Sequence, residues 1–116
     1  MKPEIYLNVA EKIGNPSALT QEDGNLIYEE VVSAINQNIP ITLDFEQIES
    51  MISPFLNNAI GQLYGHFTSQ QISDLVTIKN FPKEKNSTLN IVIANAKKFY
   101  SDREKFNSTV EEVLNS

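Results

Sequence analysis

The side chains able to do chemistry in this chain are few. It holds one histidine, His66, and no cysteine, so thiol nucleophiles, disulfides and cysteine metal sites are excluded. No HExxH, phosphate-loop or GxGxxG pattern is present, and a metal centre would need several N, S or O ligands converging on one point. A Ser–His–acid set can be drawn from Ser53, His66 and Asp44. The helix reading below puts Ser53 and His66 at opposite ends of one element, about 13 residues or roughly 20 Å apart. That is too far for a hydrogen-bonded dyad. The expectation is therefore a non-enzyme with no catalytic, cofactor-binding or metal-binding residue. His66 is expected to be structural, at a helix C-terminus where the dipole favours it.

Asp44 stands apart. It lies in the apolar segment Ile39-Pro40-Ile41-Thr42-Leu43-Asp44-Phe45, near the end that leads towards a helix. In open α/β sheets, ligands and switches collect at the C-terminal ends of strands. Ser50 and Ser53 occupy the loop that follows, before a helix N-terminus whose free N–H groups favour a phosphate. Two readings stay open. Asp44 ties down the loop while Ser53 is a plain N-cap, or the two form a phosphoacceptor or switch.

Positioning those residues requires alternating strands and helices. Ile5, Leu7 and Val9 alternate as a short strand does, and Asn15-Pro16-Ser17 makes a turn. Thr20-Gln21-Glu22-Asp23 has the form of a capping box. It opens a helix to about Asn38, with Ile27, Val31, Ala34 and Ile35 on one stripe and Gly24 in its first turn. Ile39–Phe45 reads as the second strand, with Pro40 tolerated at its start. A second helix opens at Ser53-Pro54, Ser as cap and Pro at the first position. Phe55, Leu56, Ala59, Ile60, Leu63 and Phe67 keep helical spacing throughout it. A short helix follows at Gln70–Leu75, capped by Thr68 or Ser69, then a third strand at Val76-Thr77-Ile78. The polar loop Pro82–Ser87 leads to a helix carrying Leu89, Val92, Ile93, Ala96 and Tyr100. Two capping-box patterns, at Ser101 and Ser108, predict a break between Tyr100 and Thr109. Beyond it, Phe106, Val110, Val113 and Leu114 would form the stripe of a last helix. This order implies an α/β layer structure with right-handed crossovers.

Charge narrows the function. The chain of 116 residues carries 9 Lys+Arg against 15 Asp+Glu, a net −6. That argues against direct nucleic-acid binding, where affinity comes from Lys and Arg on phosphate. No apolar run approaches the roughly 20 residues of a membrane span, and the start Met1-Lys2-Pro3-Glu4 lacks a signal-peptide core. A single cytoplasmic domain over 1–116 is expected, with its core at about 5–100 and an extension at 101–116. No Lys or Arg falls between Ile13 and Ile78, and seven bases fall between Lys79 and Lys105. Between Glu49 and Asp74 there is no Lys, Arg, Asp or Glu. Solvent-facing helices normally carry charge, so this neutral stretch reads as a covered face. Gly61 and Gly65, four apart, would let another backbone approach. With Asn57, Asn58 and Gln62 beside them and Ser50 and Ser53 in the preceding loop, they form the expected interaction surface.

The run Ile41-Thr42-Leu43-Asp44-Phe45 through Ser53-Pro54-Phe55-Leu56-Asn57-Asn58-Ala59-Ile60-Gly61 resembles the STAS-like domain family of unassigned function. This bacterial and phage group is related to the STAS domains of anti-sigma factor antagonists. Ala18-Leu19-Thr20-Gln21-Glu22-Asp23-Gly24 with Ile27-Tyr28, Ile78-Lys79-Asn80-Phe81 and Ile93-Ala94-Asn95-Ala96-Lys97 extend the similarity over most of residues 5–100. The resemblance implies a small sandwich of helices packed on one sheet, working by protein contact. In the antagonists, a Ser at this helix start is phosphorylated by a partner kinase that is also the anti-sigma factor. Their Asp-Ser-Ser-Gly loop falls on Ile52-Ser53-Pro54-Phe55, which puts Pro54 at the acceptor position and leaves Ser53 as its substitute.

The expected function is thus a regulatory interaction module. Its partner would be an ATP-binding kinase-like protein, a transcription-regulating protein, or a second copy in a homodimer. Two alternatives stand beside it. One is a small nucleotide-binding or hydrolytic protein using Asp44 and Ser53. The other is an acidic phage-type inhibitor of a host nucleic-acid-binding protein.

Overall fold

A computed structural model describes residues 3–115, with side chains described for residues 3–100. Three parallel strands, β1 (Ile5–Asn8), β3 (Ile41–Asp44) and β5 (Val76–Lys79), form one sheet in the order β1-β3-β5. The register aligns Ile5 with Ile41 and Val76, and Leu7 with Leu43 and Ile78. Because strand side chains alternate, these six make one apolar face. Tyr6–Thr42–Thr77 and Asn8–Asp44–Lys79 make the opposite, polar face. Strands added successively in one direction by right-handed crossovers place their helices on the same side. The core accordingly forms there, between the sheet and α2 (Gln21–Asn36) and α3 (Ser53–Ala59). Tyr6 and Thr77 are exposed on the other side.

The α2 stripe is as expected: Ile27, Val31, Ala34 and Ile35 are all buried, and the Thr20 hydroxyl accepts the Asp23 N–H at 3.1 Å. Gly24 has a sharper role than its place in the first turn suggested. It is buried where α2 crosses α3, and an added Cβ would lie 2.6 Å from the Phe55 carbonyl oxygen. Helix α4 (Ser69–Leu75) carries the full capping box, Thr68 with Gln71.

Five expectations are corrected, the last of them in the C-terminal helix. Val9 leaves the strand and opens a one-turn helix, α1 (Val9–Ile13), because the Asn8 side chain accepts the Glu11 N–H at 3.0 Å; Gly14, at φ 73°, ends it. A two-residue parallel ladder, β2 (Ser17–Ala18) with β4 (Ser50–Met51), lies in what reads as turn and loop. It also displaces the expected cap. The Ile52 N–H donates to the Ala18 carbonyl at 3.2 Å, Ile52 stays extended as N-cap, and Ser53 and Pro54 become the first helical residues. The long second helix divides as well. Ile60 leaves helical backbone at φ −121°, and Gly61–Gly65 continues as a tighter 3-10 turn, as two weak helix formers four apart permit.

The last helix, α5 (Asn86–Asn115), is continuous, without the expected break. Its stripe at Phe106, Val110, Val113 and Leu114 lies outside the residues whose side chains are described. Among the described residues, no helix is long and apolar enough to cross a membrane.

Candidate functional site

The neutral segment Asn57–Gly65 packs against α2 through its amides and against α5 through its glycines. The Asn58 Nδ2 donates to the Gln21 carbonyl at 3.2 Å. The Gln62 Nε2 donates to Asn25 Oδ1 at 3.2 Å and to the Asn58 carbonyl at 2.9 Å. These bonds tie α3 and its 3-10 extension to α2 without charge. Among the described residues, nothing donates to the side-chain oxygens of Asn58 and Gln62.

The glycines face α5. At Gly61, which is buried, an added Cβ would lie 3.6 Å from Val92 Cγ1 and 3.7 Å from Ala96 Cβ. At Gly65 it would lie 2.4 Å from Tyr100 Cε1. The close approach that the Gly61/Gly65 spacing implies therefore exists, but the approaching element is this chain's own last helix.

Between α3 and α5 a groove of about 310 Å³ remains open. Asn57, Asn58, Gly61 and Gln62 form one wall, and Asn95 and Phe99 stand on the other. Asn57 and Asn95 are exposed, and Phe99 is 60% exposed at the rim. Among the described residues, no charged side chain lines it. Gly65 lines a neighbouring hollow of about 480 Å³ with Tyr64, His66 and Lys97, and Tyr100 borders both. The Lys97 Nζ lies 5.6 Å from the Tyr64 ring centroid, and burial pushes the Tyr64 phenol up. Burial, with Tyr100 nearby, does the same to Tyr28. The Tyr28 ring stands 6.2 Å from His66, whose N–H closes the 3-10 turn on the Leu63 carbonyl.

Ser50 and Ser53 lie outside the groove. Both are exposed, Ser50 on the β4 ladder and Ser53 at the start of α3. Asp44 is in a third place, at the C-terminal end of the central strand and 5% exposed. Its carboxylate accepts the Tyr6 hydroxyl, the Glu46 N–H at 2.9 Å and the Asn80 Nδ2 at 3.1 Å. The Tyr6 bond above all, then those from Glu46 and Asn80, hold the carboxyl below its ordinary value, and Lys79 adds to this. The same bond, chiefly, raises the Tyr6 phenol. This geometry is the loop-tying arrangement, with Oδ1 bridging β3 to the turn after it and Tyr6 joining β1 to both.

Sequence reasoning missed Asn95 and Phe99. A signal existed, because Phe99 is a large apolar residue off the Leu89–Val92–Ala96–Tyr100 stripe. It also missed Tyr6 and Asn80, which reach Asp44 from 38 and 36 residues away and leave no local pattern.

Residues 23–85, more than half of the chain, match the model of a family described as a STAS-like domain of unknown function. Comparison with curated proteins and with solved structures gives no match. The matched stretch holds most of α2, the Asp44 strand, the neutral segment and β5, and with them the groove's first wall. This chain belongs to the STAS-like domain family of unknown function.

Proposed function

We propose that this domain is a regulatory interaction module, holding a segment of a partner protein in the groove between α3 and α5 and doing no covalent chemistry of its own. The observation that carries this reading is the lining given by the described residues: side-chain amides, no charge among them, and one large aromatic left exposed at the rim. Each amide of Asn57 and Asn95 offers a donor and an acceptor, the pair that a peptide backbone presents. Phe99 supplies the desolvated anchor around which interface energy concentrates. A groove this small seats a segment, and a standard interface of about 800 Å² per partner would extend over the surfaces beside it.

The test uses Phe99→Asp and Asn57→Arg in the full chain, compared with wild type in affinity capture from native extract. Both side chains are exposed, so melting temperatures should stay within about 2 °C of wild type, as for most surface changes. Recovery of the partner should fall by about tenfold or more. Recovery by the wild-type chain should persist when salt is raised to about 0.5 M, because an uncharged contact is not screened. Recovery at the wild-type level by both variants would overturn the reading.

A further inference from the structure

The hollow of about 480 Å³ beside Gly65 is larger than the groove and has a different chemistry. Local hydrogen bonding decides what its polar groups can offer. The Thr68 hydroxyl oxygen accepts the Gln71 N–H at 3.1 Å, and Gln71 Oε1 accepts the Thr68 N–H at 2.9 Å. With both oxygens engaged as acceptors, the Thr68 O–H and the Gln71 NH2 are left to donate. His66 adds an imidazole and Lys97 an ammonium. Among the described lining residues there is no carboxylate, in a chain whose net charge is −6. The hollow therefore presents donors and a cation where most of the chain would repel an anion.

Its apolar part is aromatic, made of the partly buried rings of Tyr64, Phe67 and Tyr100. Gly65 keeps the space open, because a Cβ there would collide with the Tyr100 ring and drive it aside. The Lys97 ammonium lies 5.6 Å from the Tyr64 ring centroid, and that attraction holds the charge beside the rings. Apolar and aromatic walls with a few convergent polar groups are the usual form of a small-molecule site. A cation would meet Lys97, and an anion without a ring would leave the aromatic wall uncovered.

We propose that this hollow binds a small aromatic anion. Its flat ring lies against Tyr64, Phe67 and Tyr100, and its charged group meets Lys97 and the Thr68 and Gln71 donors. Neither Asn57 nor Phe99 takes part, so the proposal does not depend on the groove.

Three probes separate ring from charge. 1-Naphthyl phosphate carries both, 1-naphthol the ring alone and inorganic phosphate the charge alone. Naphthyl phosphate titrated into the full chain should shift the Gly65, His66 and Gln71 amide signals with a Kd below about 1 mM. The other two should each bind at least about tenfold more weakly. Lys97→Gln should weaken naphthyl phosphate about tenfold and leave naphthol unchanged. Lys98→Gln removes the same charge one residue away, outside the described lining, and should change neither. Both lysines are exposed, so both variants should fold as wild type does. Amides that stay unshifted up to about 5 mM naphthyl phosphate would overturn the proposal. So would naphthol binding as tightly as its phosphate, or equal losses from the two lysine variants.

Discussion

Gly24→Ala should lower the melting temperature by about 5–15 °C, although alanine is the better helix former. The new Cβ would lie 2.6 Å from the Phe55 carbonyl oxygen, 2.9 Å from Asn58 Cβ and 3.3 Å from the Ala59 nitrogen. Two of these atoms are α3 backbone and have no rotamer with which to give way. The helices must separate, and with them the Ile27 and Val31 side of α2 from Phe55 and Ala59. Overpacking costs about 1–3 kcal/mol, and a 2.6 Å approach to backbone that cannot give way puts this case near about 3 kcal/mol; against about 1 kcal/mol gained in helix propensity, the net loss is about 2 kcal/mol. Two internal controls sharpen the comparison. Gly61→Ala meets only ordinary contacts at 3.6 Å and beyond, so its melt should hold or rise slightly. Gly14→Ala sits at φ 73° and should cost about 1 kcal/mol through backbone strain alone. An unchanged melt for Gly24→Ala, measured by circular dichroism, would mean that α2 and α3 do not cross as described.

The second large effect is at Asp44. Asp44→Ala removes the acceptor of three hydrogen bonds that join β1, β3, the turn at Glu46 and Asn80. Bonds to a charged group are the stronger kind, and the loss should be about 2 kcal/mol at neutral pH. The sign of the pH dependence follows from the shift. The carboxyl is held below its ordinary value of 3.8 in the folded chain, so the folded state favours the ionised form. That stabilisation is fully present above the unfolded value and is lost as pH falls through the folded one. Urea midpoints of wild type and Asp44→Asn should therefore differ at pH 7 and converge below about pH 4. A constant gap would show that the geometry of the carboxyl, and not its charge, carries the effect.

These two sites also show what the sequence could and could not reveal. The three strands and the α2 and α4 helices are legible because burial repeats with a period that survives in the order of residues. Thr20 and Thr68 mark helix starts because their hydroxyls act on N–H groups three residues away. The β2–β4 ladder is not legible, since two-residue strands paired across more than thirty positions have no period to read. Gly24 looked like a tolerated weakness. Its necessity arises only when Phe55 and Asn58 are brought beside it. The neutral stretch was correctly a covered surface in part. What charge could not tell is that the cover is α5, or that Asn95 and Phe99 would leave a groove alongside. Asp44 was visible as an anomaly in an apolar strand, whereas Tyr6 and Asn80, which define its state, come from other strands or their ends.

The polar face of the sheet, with Tyr6, Thr42 and Thr77, offers the natural comparison for the central claim, because it too is open on one side. A photo-cross-linking residue placed at position 57, in the groove, and separately at position 77, on that face, distinguishes them in native extract. A discrete polypeptide adduct is expected from position 57, suppressed by excess unlabelled protein and abolished by Phe99→Asp, with none from position 77. Adducts from position 77 alone would contradict that claim and move the working surface to the far side of the molecule.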